Sequence, residues 1–136
     1  MKNRVEKALE KKKNGYNCAQ AVVCAFCDVL DVEENDLFRI MEGFGGGMGT
    51  MECVCGAVSG AVALTGLKNS IGCDNPTTKR ETEAKAKEIV EKFKEMNGSV
   101  VCGELKGLVT KQPLRSCDGC VEDAVIVAEQ LLFDEK

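Results

Sequence analysis

Asn17-Cys18-Ala19-Gln20-Ala21-Val22-Val23-Cys24-Ala25-Phe26-Cys27-Asp28-Val29-Leu30 is the stretch whose reading decides the fold. Its apolar residues Ala19, Val22, Val23, Phe26, Val29 and Leu30 recur at steps of three and four, the spacing of one helix face. Asn17 is of the type that caps a helix start, because a short side-chain oxygen can reach the free N–H groups of the first turn. The spacing predicts a core helix over 18–30.

The same period runs outward in both directions. Upstream, residues 2–13 read as a charged helix with a thin stripe at Val5, Ala8 and Leu9, stopped by Asn14-Gly15. Downstream, 33–41 is a third helix with Leu37, Ile40 and Met41 inward. Residues 55–67 form a small-residue helix that other backbones can approach closely. A long charged helix begins at Thr77 or Thr78, carries Ala86, Ile89, Val90 and Phe93, and stops at Asn97-Gly98. Residues 100–108 read as a short helix or turn, and Ser99-Val100-Val101 as a short extended piece. Residues 121–133 close the chain with Val125, Ala128, Leu131 and Leu132 inward. No alternating run is long enough for a sheet. The expectation is an all-α protein, one compact bundle-like domain of five or six helices over residues 1–136.

Apolar residues make up 44% and charged residues 29% of the 136, a globular balance. The net charge of −4 argues against nucleic acid, which needs a basic face. Met1 to Asn17 is charged throughout and lacks a secretory leader's apolar core. The longest mostly apolar run, Ala57 to Leu67, falls short of the ~20 residues of a spanning helix, so no direct membrane insertion is expected. These readings give a cytoplasmic location.

That location sets the meaning of nine cysteines. Thiols stay reduced in the cytosol, so cysteines at this density point to catalysis, redox sensing or metal ligation rather than to staples. No histidine is present, which removes Cys-His nucleophile pairs and mixed Cys/His zinc sites. Four cysteines share a context: Cys18, Cys55, Cys102 and Cys120 each follow a turn or glycine-bearing loop and open a helix. Free N–H groups at a helix start favour thiolate over thiol, and thiolate is both nucleophile and metal ligand. Cys117-Asp118-Gly119-Cys120 reads as a C-x-x-C pair in a turn before a helix, fit for redox work or for half of a metal site. Cys24 and Cys27 read as core thiols within an apolar helix. Cys73 reads as a loop spectator, and Cys53 and Cys55 place two thiols near the loop, where a change of side-chain direction separates them. Gly45, Gly46, Gly47 and Gly49, with Gly56 beyond them, fit no phosphate-loop motif. They read either as tight turns and close approaches or as a ring of N–H groups stabilising thiolates or cluster sulfurs.

The strings Gly15-Tyr16-Asn17-Cys18-Ala19-Gln20-Ala21-Val22, Gly43-Phe44-Gly45-Gly46-Gly47-Met48-Gly49, Cys55-Gly56-Ala57-Val58-Ser59-Gly60, Cys102-Gly103-Glu104-Leu105 and Cys120-Val121-Glu122-Asp123-Ala124 occur in that order. Together they resemble the redox-active family labelled C_GCAxxG_C_C, from about Gly15 to about Leu132. The resemblance implies a helical domain, nominates Cys18, Cys55, Cys102 and Cys120, and implies a redox partner or membrane-associated system. Two chemistries stay open: dithiol/disulfide or electron-transfer work with no cofactor, and a zinc ion or iron–sulfur cluster held by those four cysteines. A structural or partner-binding module with incidental thiols is the third reading.

Overall fold

The computed structural model describes residues 3–133, and in it the helical periods become seven α-helices. They are α1 (Arg4–Lys13), α2 (Cys18–Cys24), α3 (Glu34–Met41), α4 (Gly56–Asn69), α5 (Lys79–Asn97), α6 (Cys102–Lys106) and α7 (Cys117–Ala128). The number exceeds the five or six expected, because five-residue α6 is too short to carry a readable period. The all-α expectation holds. The one extended pairing among the described residues is an isolated antiparallel bridge between Val54 and Val101, which realises the short extended piece. Lys2, the expected first residue of α1, lies outside the described residues. No described helix is long and apolar enough to cross a membrane.

The core forms where α2, α4 and α7 meet. Val22, Val23 and Phe26, Val58, Ala61 and Leu64, and Val121 and Val125 are all buried in one cluster, which Ile89 and Phe93 of α5 join. Burial of this kind contributes about 25 cal/mol per Å² of apolar surface, so it is the main term holding the helices together. Asn17 starts α2 with a capping box: its side chain accepts from Gln20 N–H while the Gln20 side chain accepts from Asn17 N–H. Asn17 Nδ2 also donates to Glu42 O at 2.9 Å, so the cap of α2 holds the end of α3 as well.

Four boundaries and orientations differ from expectation. First, α2 ends at Cys24 and not at Leu30. Arg4 donates to Ala25 O at 2.9 Å, satisfying a carbonyl the helix leaves open, and a 3₁₀ turn follows over Cys27–Val29. Val29 is therefore exposed. Second, Ile40 is 63% exposed while Leu37 and Met41 are buried, because α3 packs chiefly on α2 and a third apolar residue has no helix to face. Third, α7 begins at Cys117, four residues before Val121, because Ser116 caps it by accepting from Gly119 N–H at 3.0 Å. Fourth, regular helix ends at Ala128 and wider turns run over Glu129–Phe133. Leu131 is exposed there, and Phe133 stacks on Phe26 with ring centroids 4.7 Å apart.

Two glycines of α4 allow a direct check of this packing. A Cβ on Gly60 would stand 2.9 Å from Ala19 O and 3.0 Å from Val22 Cβ, so α2 and α4 would have to separate. A Cβ on Gly66 would meet nothing within 4 Å. Denaturant unfolding of Gly60→Ala should therefore show a net loss of about 1–3 kcal/mol, overpacking outweighing helix propensity. Gly66→Ala should gain up to about 1 kcal/mol. Equal effects at the two positions would refute the close α2–α4 approach.

Candidate functional site

Two short segments build the site by pairing their backbones. Cys55 N–H donates to Val100 O at 2.7 Å, and Cys102 N–H donates to Cys53 O at 2.9 Å. The pairing lays the lead-in to α4 against the lead-in to α6, so two helix starts lie side by side. Gly47 seals this junction: its φ is +59°, and a Cβ there would come within 2.7 Å of Cys102 Cβ and 3.0 Å of Cys53 O. Only glycine meets both demands. The start of α2 closes in from another side, since a Cβ on Gly56 would lie 3.2 Å from Phe44 O and 3.3 Å from Ala19 N. The chain after α6 then ties in α7, with Leu114 and Arg115 N–H both donating to Leu105 O.

These junctions bring Cys18, Cys55, Cys102, Cys117 and Cys120 to one cavity, with Gly46, Gly56, Leu105, Lys106 and Arg115 completing its wall. The space inside is about 30 Å³, room for a water and little more. The five thiols therefore converge, as a shared site requires. Cys117 and Cys120 stand three apart in the first turn of α7, on one helix face rather than in a turn before the helix. Arg115 lies flat over Gly119, where a Cβ would sit 2.4 Å from its Nε. It is held by Asp123, which is only 8% exposed, through Nε–Oδ2 and Nη2–Oδ1 contacts of 3.1 and 3.3 Å. Lys12 reaches Asp118 at 2.8 Å and fastens α1 to the same turn.

The five thiols are not electrostatically equivalent. Cys55 is the N-cap residue of α4, and Cys120 is the group that acts on it most strongly. Hydrogen bonding from the Cys120 side chain, opposed by burial and assisted by the Ala57 and Val58 N–H groups, pulls Cys55 down to about 6. The Cys55 side chain makes no capping hydrogen bond of ordinary geometry, and the Ala57 and Val58 N–H groups act by favouring its charged form. Cys120 is pushed up by the same contact and by burial. The two are one coupled pair that loses its first proton early and its second late.

The other cysteines correct the helix-start expectation. Cys18 and Cys102 are first helical residues and not caps, and burial pushes both up, Cys18 to about 12. Cys120 lies a full turn inside α7, so it does not open that helix. A cap residue points its side chain at the free N–H groups, whereas the residue after it does not. At Cys18 those groups are already served by Asn17. Burial then decides the outcome.

The glycines divide by position. Gly46 and Gly56 line the cavity, whereas Gly45 packs on Asn17, Gly47 serves the junction and Gly49 has no neighbour within 4 Å of a Cβ. The N–H donors to Cys55 come from the first turn of α4 and not from the glycine loop. Among the described residues no three Cys, Asp, Glu or His side chains are arranged to hold a metal ion, so the zinc or iron–sulfur expectation gains no donor set here. Cys24 and Cys27 flank a separate hollow with Lys7, Lys11 and Glu34, and burial pushes both up. Cys53 and Cys73 are exposed. Sequence reasoning missed Lys106 and Arg115. A signal existed for each, since Lys106 lies four residues after Cys102 and Arg115 two before Cys117.

Residues 16–131 match the family described as "Putative redox-active protein (C_GCAxxG_C_C)". An uncharacterized protein of Archaeoglobus fulgidus is 30% identical over 141 residues, covering 96% of this chain and 93% of that protein. No solved structure matches.

The depressed Cys55 has a signature in stability. Between about 6 and the ordinary thiol value of 9.0, the unfolded chain holds a proton on this residue that the folded chain has released. Stability of the reduced protein should therefore rise with pH across that window and be lost as pH falls through 6. Above 9.0 the sign reverses, because Cys18 and Cys24 resist ionisation only when folded. Urea midpoints across this range should show the rise in the parent and not in Cys55→Ser. A flat profile for the parent between 6 and 9 would contradict the assignment.

Proposed function

This chain belongs to the C_GCAxxG_C_C family, and on that premise we propose that it is a thiol–disulfide redox protein whose working pair is Cys55 and Cys120. The observation that carries this reading is the coupled thiol pair at the cap of α4, set in a cavity with three more cysteines. Thiolate is the attacking form in disulfide exchange, so the thiol that ionises first attacks first. Cys55 thiolate attacks one sulfur of a substrate disulfide, that S–S bond breaks, and the first substrate thiolate leaves. A mixed disulfide now joins Cys55 to the remaining half. Cys120 loses its proton to the departed thiolate and attacks Cys55 Sγ. The Cys55–Cys120 disulfide forms and the second substrate thiolate departs. One disulfide has been reduced to two thiols and one dithiol oxidised, with two electrons transferred. Cys117, three residues from Cys120, and Cys18 and Cys102 of the same cavity would take over the disulfide in later exchange.

The test is reaction of the reduced, metal-free protein with oxidised glutathione, followed by peptide mapping without reductant. A Cys55–Cys120 linkage is expected, and Cys120→Ser should accumulate the mixed disulfide on Cys55. Cys55→Ser should slow exchange by at least about tenfold, because the remaining cavity thiols with resolved shifts are all raised. Glutathione landing on Cys53 and Cys73 alone would overturn the reading. The zinc or cluster alternative predicts the opposite pattern, with Cys18, Cys55, Cys102 and Cys120 protected as purified and reactive only after chelation.

A further inference from the structure

The cations around the cavity differ in what they are free to do. Arg115 is engaged by Asp123 and approached by Glu122 at 3.9 Å. Lys12 is engaged by Asp118. Lys106 is not. It sits in the last turn of α6, four residues beyond Cys102, half-buried and lining the cavity wall. Among the described residues it makes no ion pair and no side-chain hydrogen bond. Its charge is felt at Cys18, Cys55 and Cys102, in each case favouring the thiolate. A chain of net charge −4 thus presents at the thiol cavity a cation with no carboxylate partner among the described residues.

A half-buried lysine without a carboxylate partner has the Cys55 thiolate to answer its charge, and that charge is lost when Cys55 enters a mixed disulfide. A ligand anion would supply the missing partner. The cavity itself is too small for more than a water, so a substrate disulfide must meet Cys55 at its opening, with its flanking groups outside, and Lys106 is part of the same cavity's wall.

We propose that Lys106 selects the substrate of the Cys55–Cys120 pair, and that this substrate is an anionic disulfide with a carboxylate within a few bonds of its S–S linkage. The inference rests on the redox reading above and names its substrate class. Lys106 pairs with the substrate carboxylate as the S–S bond breaks and exchanges no proton or electron. The bonds and electrons balance as in the exchange already described. Lys106 is a specificity residue and not a catalytic one.

Paired reagents of like size and unlike charge test this. The alkylation rate of Cys55 by iodoacetate, divided by its rate with iodoacetamide, reads the local charge and cancels the thiolate fraction and much of the steric barrier. In Lys106→Gln this ratio should fall about fivefold, roughly what one charge a few ångströms away is worth in a water-like dielectric. Lys106→Arg should keep it. The ratio of exchange rates with anionic dithiobis(nitrobenzoate) and cationic cystamine should fall in parallel, and added salt should shrink the parent's preference. If both alkylation rates drop together and their ratio holds, Lys106 only tunes the thiolate and the specificity claim is overturned. If neither disulfide reacts with Cys55 of the parent, the redox reading fails and the substrate class with it. The alkylation ratio still reads the charge at the mouth in that case, so the two failures are distinguishable.

Discussion

Two backbone hydrogen bonds, Cys55 N–H to Val100 O and Cys102 N–H to Cys53 O, hold the site in register. They join segments almost fifty residues apart in sequence. Without them the lead-ins to α4 and α6 would have no reason to run side by side, and Cys55 would not be fixed as a cap. Gly47 belongs to the same constraint, because any side chain there would push into Cys102 and the paired strand. A small pairing thus positions a helix start, and the helix start positions a thiolate.

Two opposing forces act on every thiol in the cavity. Burial favours the neutral form, while helix-end N–H groups, hydrogen bonds and nearby cations favour the charged one. At Cys18 and Cys102 burial wins, even though Lys106 pulls the other way at both and Lys12 assists at Cys18. At Cys55 the balance reverses, because a donor side chain from Cys120 adds to N–H groups at the cap. One residue of register along a helix separates these outcomes. The consequence is functional asymmetry: among Cys18, Cys55, Cys102 and Cys120, Cys55 is the one that these forces bring into the charged form near neutral pH.

The helices were legible because their apolar period is strong, and Asn17 as a cap was legible from residue type alone. Cys18, Cys55, Cys102 and Cys120 were legible as a set from a shared local context and from the family resemblance. That context proved coarser than the chemistry: it put Cys120 at a helix start, whereas Ser116 begins α7 one turn earlier. Helix ends set by tertiary partners left no local trace, as at Ala25, where the terminating donor is Arg4 from another helix. The outward turn of Ile40 follows from having no helix opposite it, which periodicity does not record. Lys106 and Arg115 were hidden for a related reason. A basic residue near a cysteine is common, and only the fold shows which has a carboxylate partner and which does not.

The central claim is that Cys55 carries the negative charge at neutral pH. Titrating the ultraviolet thiolate absorbance of the reduced protein, beside that of Cys55→Ser, tests it most directly. The expected result is one thiolate appearing with a midpoint near 6, absent from the variant. A first thiolate that appears only near the ordinary value of 9.0, or a low-pH step that survives in Cys55→Ser, would contradict it.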